Sequence, residues 1–143
     1  MGTLIRVRLS HRDGRDGISI LEQTAPRGDS PPLHRHVDED EAFHVLEGEL
    51  RFSLDGEERA VGAGETVIAP KGVPHTYRVE SDRGRWLVVT THRQFEDFVR
   101  TMARPAETDD LPPPAGPPPP EAIDALVAKA KQFGIEILGP PLA

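Results

Sequence analysis

The sequence predicts an all-β domain, a double-sheet jelly roll that closes into a barrel, followed by two helices at the carboxyl end. Short segments of alternating apolar and polar residues fill residues 1–93, and clusters of Gly, Pro, Asp and Ser separate them about every eight to twelve residues. Helical periodicity is found only after residue 93. With 143 residues, the chain has the size of one domain that can bury a core without disulfides.

Eight strands are predicted from this alternation. They cover residues 3–9, 18–24, 41–46, 50–54, 59–61, 66–69, 74–79 and 86–92. Asp55 and Gly56 are a hairpin signal between two of them, because both residue types tolerate a positive φ. In the strand 86–92, one face carries Trp86, Val88, Thr90 and His92, and the other carries Leu87, Val89 and Thr91. Alternation alone does not say which of the two faces lines the barrel.

Residues 94–143 are predicted to form an extension that packs on the barrel of residues 1–93 within one domain. Amphipathic helices are expected over 94–103 and 121–133, with a proline-rich extended crossing over 105–120 and an edge strand over 135–138. Short helices are not stable alone, so their apolar stripes must be buried. They can pack on the outside of the barrel or on a second subunit, or they can form a lid across the mouth of the barrel.

The composition argues against several classes of partner. The formal net charge is −7 and the basic residues are scattered, which argues against binding to nucleic acid or to an anionic membrane surface. There are no cysteines, which fits a reducing compartment, and no apolar run approaches the ~20 residues that span a bilayer. The first residues lack the apolar core of a signal peptide. We therefore expect a cytoplasmic protein with no membrane and no nucleic-acid partner.

A pair of histidines and a nearby carboxylate form the first candidate site. His34 and His36 are two residues apart, so in an extended strand their side chains point to the same side. A short turn then leads to Glu41, with Glu39 and the intervening Asp40 as competing carboxylates. His44 lies on the opposite face of a regular strand that begins at Glu41, and only a bulge would reverse that. Two imidazoles and a carboxylate suit a divalent ion of intermediate softness.

A second stretch, residues 64–75, offers a fourth donor. It contains a short strand, a turn made by Pro70, Lys71 and Gly72, and His75 near the start of the returning strand. Together the two stretches resemble the paired motifs of the cupin superfamily. The first motif is Gly, five residues, His-x-His, three or four residues, Glu, six residues and Gly, and the chain fits it from Gly28 to Gly48. The second motif is Gly, five residues, Pro-x-Gly, two residues, His, three residues and Asn.

The chain fits this second motif from Gly64 to His75 but has Val79 in place of the asparagine. The resemblance is to small metal-binding cupins of the quercetin dioxygenase type. It implies a barrel in which four side chains point inward onto one divalent ion, which can be Fe, Mn, Ni, Cu, Co or Zn. The four ligands that it implies are His34, His36, Glu41 and His75.

Four further residues are predicted to line a substrate pocket beside this centre. Phe43 and Val45 share the strand face of Glu41, and Tyr77 and Val79 share the face of His75. A pocket with an ion at its floor and mostly apolar walls suits a small organic molecule that offers oxygen atoms to the metal. The Tyr77 hydroxyl can donate a hydrogen bond there, or Tyr77 can be an ordinary packing residue. On the strand 18–24, Gln23 and Thr24 face either the pocket mouth or the solvent.

The resemblance suggests a metal-dependent dioxygenase with a small-molecule substrate, in which Glu41 is both a ligand and the proton acceptor. A redox-neutral enzyme such as an isomerase or a polyketide cyclase is the second possibility, and a domain that binds a small ligand without catalysis is the third. No basic helix-turn-helix segment is present, which weakens a role as a regulator. A homodimer is expected, because sheet edges and helix stripes need to be covered.

Overall fold

The computed structural model of the chain describes residues 2–143, and two antiparallel sheets packed face to face make up most of it. The first nine strands are β1 (Leu4–Leu9), β2 (Ser19–Pro26), β3 (Pro32–His36), β4 (Glu41–Glu47), β5 (Glu49–Leu54), β6 (Glu57–Gly62), β7 (Thr66–Ala69), β8 (His75–Val79) and β9 (Arg83–Thr90). Two helices, α1 (Gln94–Met102) and α2 (Pro120–Gln132), and a last strand, β10 (Ile135–Pro141), follow. The prediction of an all-β jelly roll with two carboxyl-terminal helices is confirmed.

The chain crosses between the two sheets several times. One sheet has the strand order β1-β2-β9-β4-β7, and the other has the order β10-β3-β8-β5-β6. Strands β3 and β4 are therefore neighbours in the sequence but belong to opposite sheets. This connection makes the residues at the end of β3 face those at the start of β4 across the interior, which is where the candidate ligands lie.

The core lies between the sheets and consists of apolar side chains from both inner faces. Its buried members are Ala25, Phe43, Val45, Leu50, Phe52, Val61, Val67, Ala69, Tyr77, Val79, Trp86 and Val88. Burial of each large side chain is worth about 1.5–3 kcal/mol relative to exposure. On β9, Trp86 and Val88 are fully buried, whereas Leu87 and Val89 face outward and are partly exposed. The face of β9 that lines the interior is thus the one that carries Trp86.

Strand β9 differs from its predicted bounds. It begins at Arg83 instead of residue 86 and ends at Thr90 instead of residue 92, because it pairs with β2 from Pro26 to Ser19 along its whole length. The ladder of backbone hydrogen bonds, and not the side-chain pattern, fixes these ends. Gly84 allows this extension, since a Cβ there would lie 3.1 Å from a side-chain carbon of Val79 across the core.

The hairpin predicted at Asp55 and Gly56 is present between β5 and β6. Both residues have positive φ, 51° and 84°, as a tight two-residue hairpin turn requires. Gly48, between β4 and β5, also has a positive φ, and a Cβ at this position would lie 2.3 Å from the carbonyl oxygen of Arg83. The glycine that ends the first motif is therefore required for the close approach of this turn to β9.

The two helices are short, with nine residues in α1 and 13 in α2. They contact each other through Phe98 and Phe133, whose ring centroids are 6.0 Å apart. Strand β10 then joins the second sheet by pairing antiparallel with β3, so that Ile135 lies opposite His36 and Ile137 opposite His34. The expected edge strand thus borders the histidine pair directly. Among the helices of residues 2–143, none has the length and apolar character needed to cross a bilayer.

Candidate metal centre

Four side chains from three strands meet in the interior. His34 and His36 come from β3, Glu41 begins β4 in the opposite sheet, and His75 begins β8. In the second sheet His34 is paired directly with His75. One nitrogen or oxygen atom from each of the four residues lies within 4.8 Å of the other three. The structure therefore brings together all four residues that the motif resemblance selected.

Each imidazole is held through its Nδ1 atom. The Nδ1–H of His34 donates to the carbonyl oxygen of Pro32 at 2.7 Å, and that of His75 donates to the carbonyl oxygen of Val73 at 3.0 Å. The Nδ1–H of His36 donates to Oε1 of Glu39 at 3.0 Å. In the neutral form of each ring, a proton on Nδ1 leaves the Nε2 lone pair free to bind a metal. All three rings are thus oriented as metal-ligating histidines usually are.

The Glu41 carboxylate lies between two of these rings. Its Oε2 is 2.8 Å from Nε2 of His75 and 2.9 Å from Nε2 of His36. The contact with His75 has the geometry of a hydrogen bond, but the one with His36 does not, so Nε2 of His36 is buried without a hydrogen-bond partner. An unpartnered buried nitrogen is costly unless something else binds it. A cation among these four donors would remove that cost.

The charges of the centre depend on these contacts. Burial alone would lower the pKa of His36, but the charge of Glu41 and the hydrogen bond to Glu39 outweigh burial and raise the pKa to about 10. Burial and the neighbouring His75 lower the pKa of His34 to about 4. Burial would raise the pKa of Glu41, but His36 and His75 hold it well below its usual range. The centre therefore contains a carboxylate anion, and a divalent cation would take the place of the proton on His36.

The competing candidates have other roles. Glu39 is fully buried, but it contacts His36 from behind and its side chain is not one of the four that converge. Asp40 accepts a hydrogen bond from the backbone amide of Lys71 at 2.8 Å. His44 lies outside the cluster, with Nδ1 2.7 Å from Oγ1 of Thr66. The sequence analysis missed the function of Glu39 as a partner of His36, and the signal for it was only its position three residues after that histidine.

A cavity of about 1170 Å³ lies above the centre. His34, His36 and Glu41 line it, and so do Phe43 and Tyr77, whose ring centroids are 6.1 Å apart. The other two predicted pocket residues lie elsewhere: Val45 and Val79 are fully buried in the core and do not line this cavity. Alternation along a strand predicts which side chains point inward. It does not predict which of them reach the cavity and which pack against the opposite sheet.

The carboxyl-terminal extension forms the outer wall of this cavity. The Phe95 ring lies edge-on to the His36 ring, with centroids 5.7 Å apart, at the start of α1. The remaining wall residues of the helices and of β10 are mainly apolar: Phe98, Val99, Met102, Leu126, Ala130, Ile135 and Ile137. Of the three alternatives for the helix stripes, this lining is what a lid across the mouth of the barrel would give.

Comparison with known proteins agrees with this geometry. Residues 21–90, which contain all four converging side chains, match the family model described as the cupin domain. The chain belongs to the cupin superfamily. Val79, which stands where the second cupin motif has asparagine, is a core residue packed close to Gly84 and makes no contribution to the centre.

This cupin is 32% identical over 107 residues to the quercetin 2,3-dioxygenase of Bacillus subtilis (strain 168), an alignment that covers 75% of the chain and 32% of the relative. The chain thus spans about a third of that enzyme's length. Among solved structures it is similar to the polyketide cyclase RemF from Streptomyces resistomycificus, with 30% identity, a TM-score of 0.55 and coverage of 62% of the chain and 64% of RemF.

A predicted oxalate decarboxylase from Thermotoga maritima has a TM-score of 0.60 and 23% identity, and the match covers 63% of this cupin and 80% of that protein. At this identity the likeness shows the fold alone. The similar proteins thus carry several different activities on one scaffold, and chemistry has to be argued from the site.

Proposed function

We propose that this cupin is a metal-dependent enzyme of the dioxygenase type that acts on a small organic substrate through the substrate's oxygen atoms. The observation that carries the proposal is the convergence of three imidazoles and one carboxylate at the floor of a largely apolar cavity. The similarity to the quercetin 2,3-dioxygenase supports the reaction type.

The residues present fit a divalent transition metal. Three imidazole nitrogens and one carboxylate oxygen suit Fe, Mn, Ni, Cu, Co or Zn, and the buried Nε2 of His36 makes no hydrogen bond although the Glu41 carboxylate lies 2.9 Å away. His34, His36, Glu41 and His75 would hold the ion. When bound, such an ion supplies Lewis-acid polarisation of a substrate oxygen and, if it is redox-active, electron transfer with dioxygen.

The side chains of this chain supply the remaining parts. Glu41 is the candidate acceptor of a substrate hydroxyl proton, because the other carboxylates that line the cavity, Glu107 and Asp110, are exposed residues of the extension. Phe43 and Phe95 lie next to the ligands and keep water away from this carboxylate. A substrate held between these rings would present its oxygen atoms to the centre in one orientation.

A redox-neutral reaction at the same centre is the second candidate function. The 30% identity to the polyketide cyclase RemF supports it, since cyclisation needs polarisation of an oxygen and proton transfer but no dioxygen. Binding of a small ligand without catalysis is the third candidate. Within residues 2–143, Glu41 is the single buried carboxylate that lines the cavity, so without a bound metal little catalytic machinery would face a ligand.

Metal analysis by plasma mass spectrometry on protein purified without a metal-affinity tag tests the proposal. We expect about one equivalent of a redox-active ion in the wild type and none in His36→Ala, together with dioxygen consumption in the presence of quercetin, a diketone or a catechol. The matched control is His44→Ala, which removes a histidine outside the cluster and should leave the metal content unchanged. One equivalent of zinc would favour the cyclase or isomerase, and no metal in the wild type would leave only ligand binding.

A homodimer and a cytoplasmic location complete the proposal. The outer face of the first sheet carries an apolar row in which Ile20, Val89, Ala42 and Ile68 are register partners, and Ile68 is 53% exposed. A second copy of the chain would cover such a row. Light scattering on the eluting protein gives the mass that tests the dimer, and cell fractionation tests the location, which the absence of cysteine supports.

A further inference from the structure

The wall of the cavity away from the metal centre contains one buried polar pair. Gln23 on β2 and Tyr77 on β8 both line the cavity, and they are only 5% and 7% exposed. Around them the wall is apolar and includes Ile5 and Val7 of β1. Apart from the residues of the candidate metal centre, the charged residues of the lining come from the exposed part of the extension. A polar pair in such a wall is the kind of feature that fixes the orientation of a ligand.

The hydrogen-bonding capacity of this pair is not exhausted. The Tyr77 hydroxyl donates to Oε1 of Gln23 at 3.2 Å, and within residues 2–143 neither side chain makes another hydrogen bond. The amide hydrogens of Gln23 and a lone pair of the Tyr77 oxygen therefore remain for a further partner. If the amide is turned by 180°, the pair still offers one donor and one acceptor. Burial also raises the pKa of Tyr77 well above its usual value, so the phenol keeps its proton.

The register of the sheets gives the distance between this pair and the metal ligands. Gln23 lies opposite Trp86, and Trp86 lies opposite Val45, which is four residues after Glu41 on β4. Four residues of strand correspond to about 13 Å, and the two residues from His75 to Tyr77 correspond to about 7 Å. The Phe43 ring lies between them, 6.0 Å from the His75 ring and 6.1 Å from the Tyr77 ring, so the Tyr77 end of the pair is roughly 10 Å from the centre.

We infer that the substrate is an elongated, mainly apolar molecule that offers chelating oxygens at one end and a hydroxyl or carbonyl group to Gln23 and Tyr77 at the other. This inference rests on the proposed function, because it assumes that one end of the substrate binds the metal. Ligands with only one polar end leave the pair unsatisfied after the cavity water is displaced, which lowers their affinity.

The test uses two compounds, phenylcatechol and its analogue with one added hydroxyl at the far para position of the second ring. Both carry the same metal-binding catechol. Only the analogue has a polar group at its far end, about 10 Å from the catechol oxygens. Their dissociation constants are measured by titration calorimetry on the full chain loaded with Zn²⁺, an ion that does not oxidise the catechol. We expect the analogue to bind about fivefold more tightly, as the gain of a hydrogen bond predicts.

The variants Tyr77→Phe and Tyr77→Phe/Gln23→Leu should bring the ratio of the two dissociation constants close to one. Tyr77→Phe keeps the ring that packs on Trp86, so the first variant alters only the hydroxyl. Gln132→Leu, the same change at an exposed position on α2, is the control and should keep the wild-type ratio. If phenylcatechol binds but the added hydroxyl gains nothing, or if the gain persists in both variants, the inference is wrong and the proposed function stands. If neither compound binds the loaded protein, the proposed function fails as well.

Discussion

At the scale of single residues, the three imidazoles of the centre differ in what holds them. Backbone carbonyls accept the Nδ1–H of His34 and His75, whereas a carboxylate accepts that of His36. A charged acceptor strengthens such a hydrogen bond and makes the ring a better electron donor at Nε2. Glu39 is fully buried, so water does not screen the interaction between its carboxylate and the His36 ring.

Replacement of Glu39 by glutamine should therefore lower the metal affinity by about 10–100-fold while the fold is retained. The amide keeps the shape of the side chain but loses the charge that polarises the His36 ring. Competition with a fluorescent chelator measures the affinity, and circular dichroism checks the fold. Glu57→Gln is the control, because that carboxylate is exposed on β6. Equal affinities in wild type and Glu39→Gln would show that the carboxylate does not act on the metal ligands.

Without bound metal, the stability of the protein should be highest near pH 6.5. The pKa of His36 is raised to about 10 in the folded protein. The stability that protonated His36 contributes is therefore fully present below the unfolded pKa of about 6.5 and is lost as the pH rises through 10. The pKa of His34 is lowered to about 4, so unfolding takes up a proton and stability falls as the pH decreases from about 6.5 to 4.

Urea unfolding of the chelator-treated protein at a series of pH values checks this profile. His36→Asn should remove the decrease on the alkaline side and keep the decrease on the acidic side, since the His34 ring and its burial are unchanged. A wild-type stability that is constant from pH 6.5 to 10 would contradict the raised pKa of His36.

At the scale of elements, α1 is fixed to the β1–β2 turn by one carboxylate. Glu96 is fully buried and accepts hydrogen bonds from the Ser10 hydroxyl at 2.7 Å, the His11 amide at 2.8 Å and Nε of Arg100 at 2.9 Å. These bonds overcome the effect of burial and lower the pKa of Glu96. Because Phe95 is the neighbouring residue, the same bonds hold its ring against His36.

Glu96→Gln should destabilise the protein by about 1.5–3 kcal/mol at pH 7, the usual value for hydrogen bonds to a charged group. The pKa of this carboxyl is lower in the folded state, so its contribution is present above about pH 4.5 and is lost as the pH falls through the folded value. The difference between wild type and variant in urea unfolding should therefore shrink in acid. Glu107→Gln, an exposed change in the extension, is the control. A difference that stays constant with pH would mean that only packing is lost.

The elements differ in how far the sequence predicts them. Alternation and turn residues are local, so the hairpin at Asp55 and Gly56 and both helices were predictable. The ends of β9 depend on pairing with β2, which is remote in the sequence, and were predicted two or three residues too late. The convergence of His34, His36, Glu41 and His75 was predictable, because both motifs are short and have fixed spacing. Glu39 was not assigned its role, because its contact with His36 depends on the path of the turn between β3 and β4.

At the scale of the whole molecule, the cavity is made by two parts that are separated in the sequence. The matched cupin domain, residues 21–90, supplies the four converging side chains of the candidate metal centre, and residues beyond 94 supply most of the outer wall. No local pattern predicts this arrangement, since it depends on how the chain after α1 folds back so that β10 pairs with β3. That residues 94–143 form one domain with the barrel of residues 1–93 stays a prediction.

This arrangement predicts that the outer wall can be loosened without loss of the metal. Phe98 lines the cavity and contacts Phe133, so Phe98→Ala removes the ring that joins α1 to the end of α2. Hydrogen exchange followed by mass spectrometry should become faster in peptides from α1 and α2 and stay unchanged in β4 and β8. Phenylcatechol should dissociate faster from the Zn²⁺-loaded variant, because part of its apolar wall is missing.

Ile123→Ala is the control for this change, because Ile123 lies on α2, is 46% exposed and does not line the cavity. The metal content of Phe98→Ala should equal that of wild type, since none of the four ligands belongs to the extension. If the variant loses its metal, the extension stabilises the ligand geometry itself, and the two parts of the cavity are one cooperative unit. If the metal content, the hydrogen exchange of α1 and α2 and the dissociation rate of phenylcatechol are all unchanged, the extension is not a significant wall of the binding site.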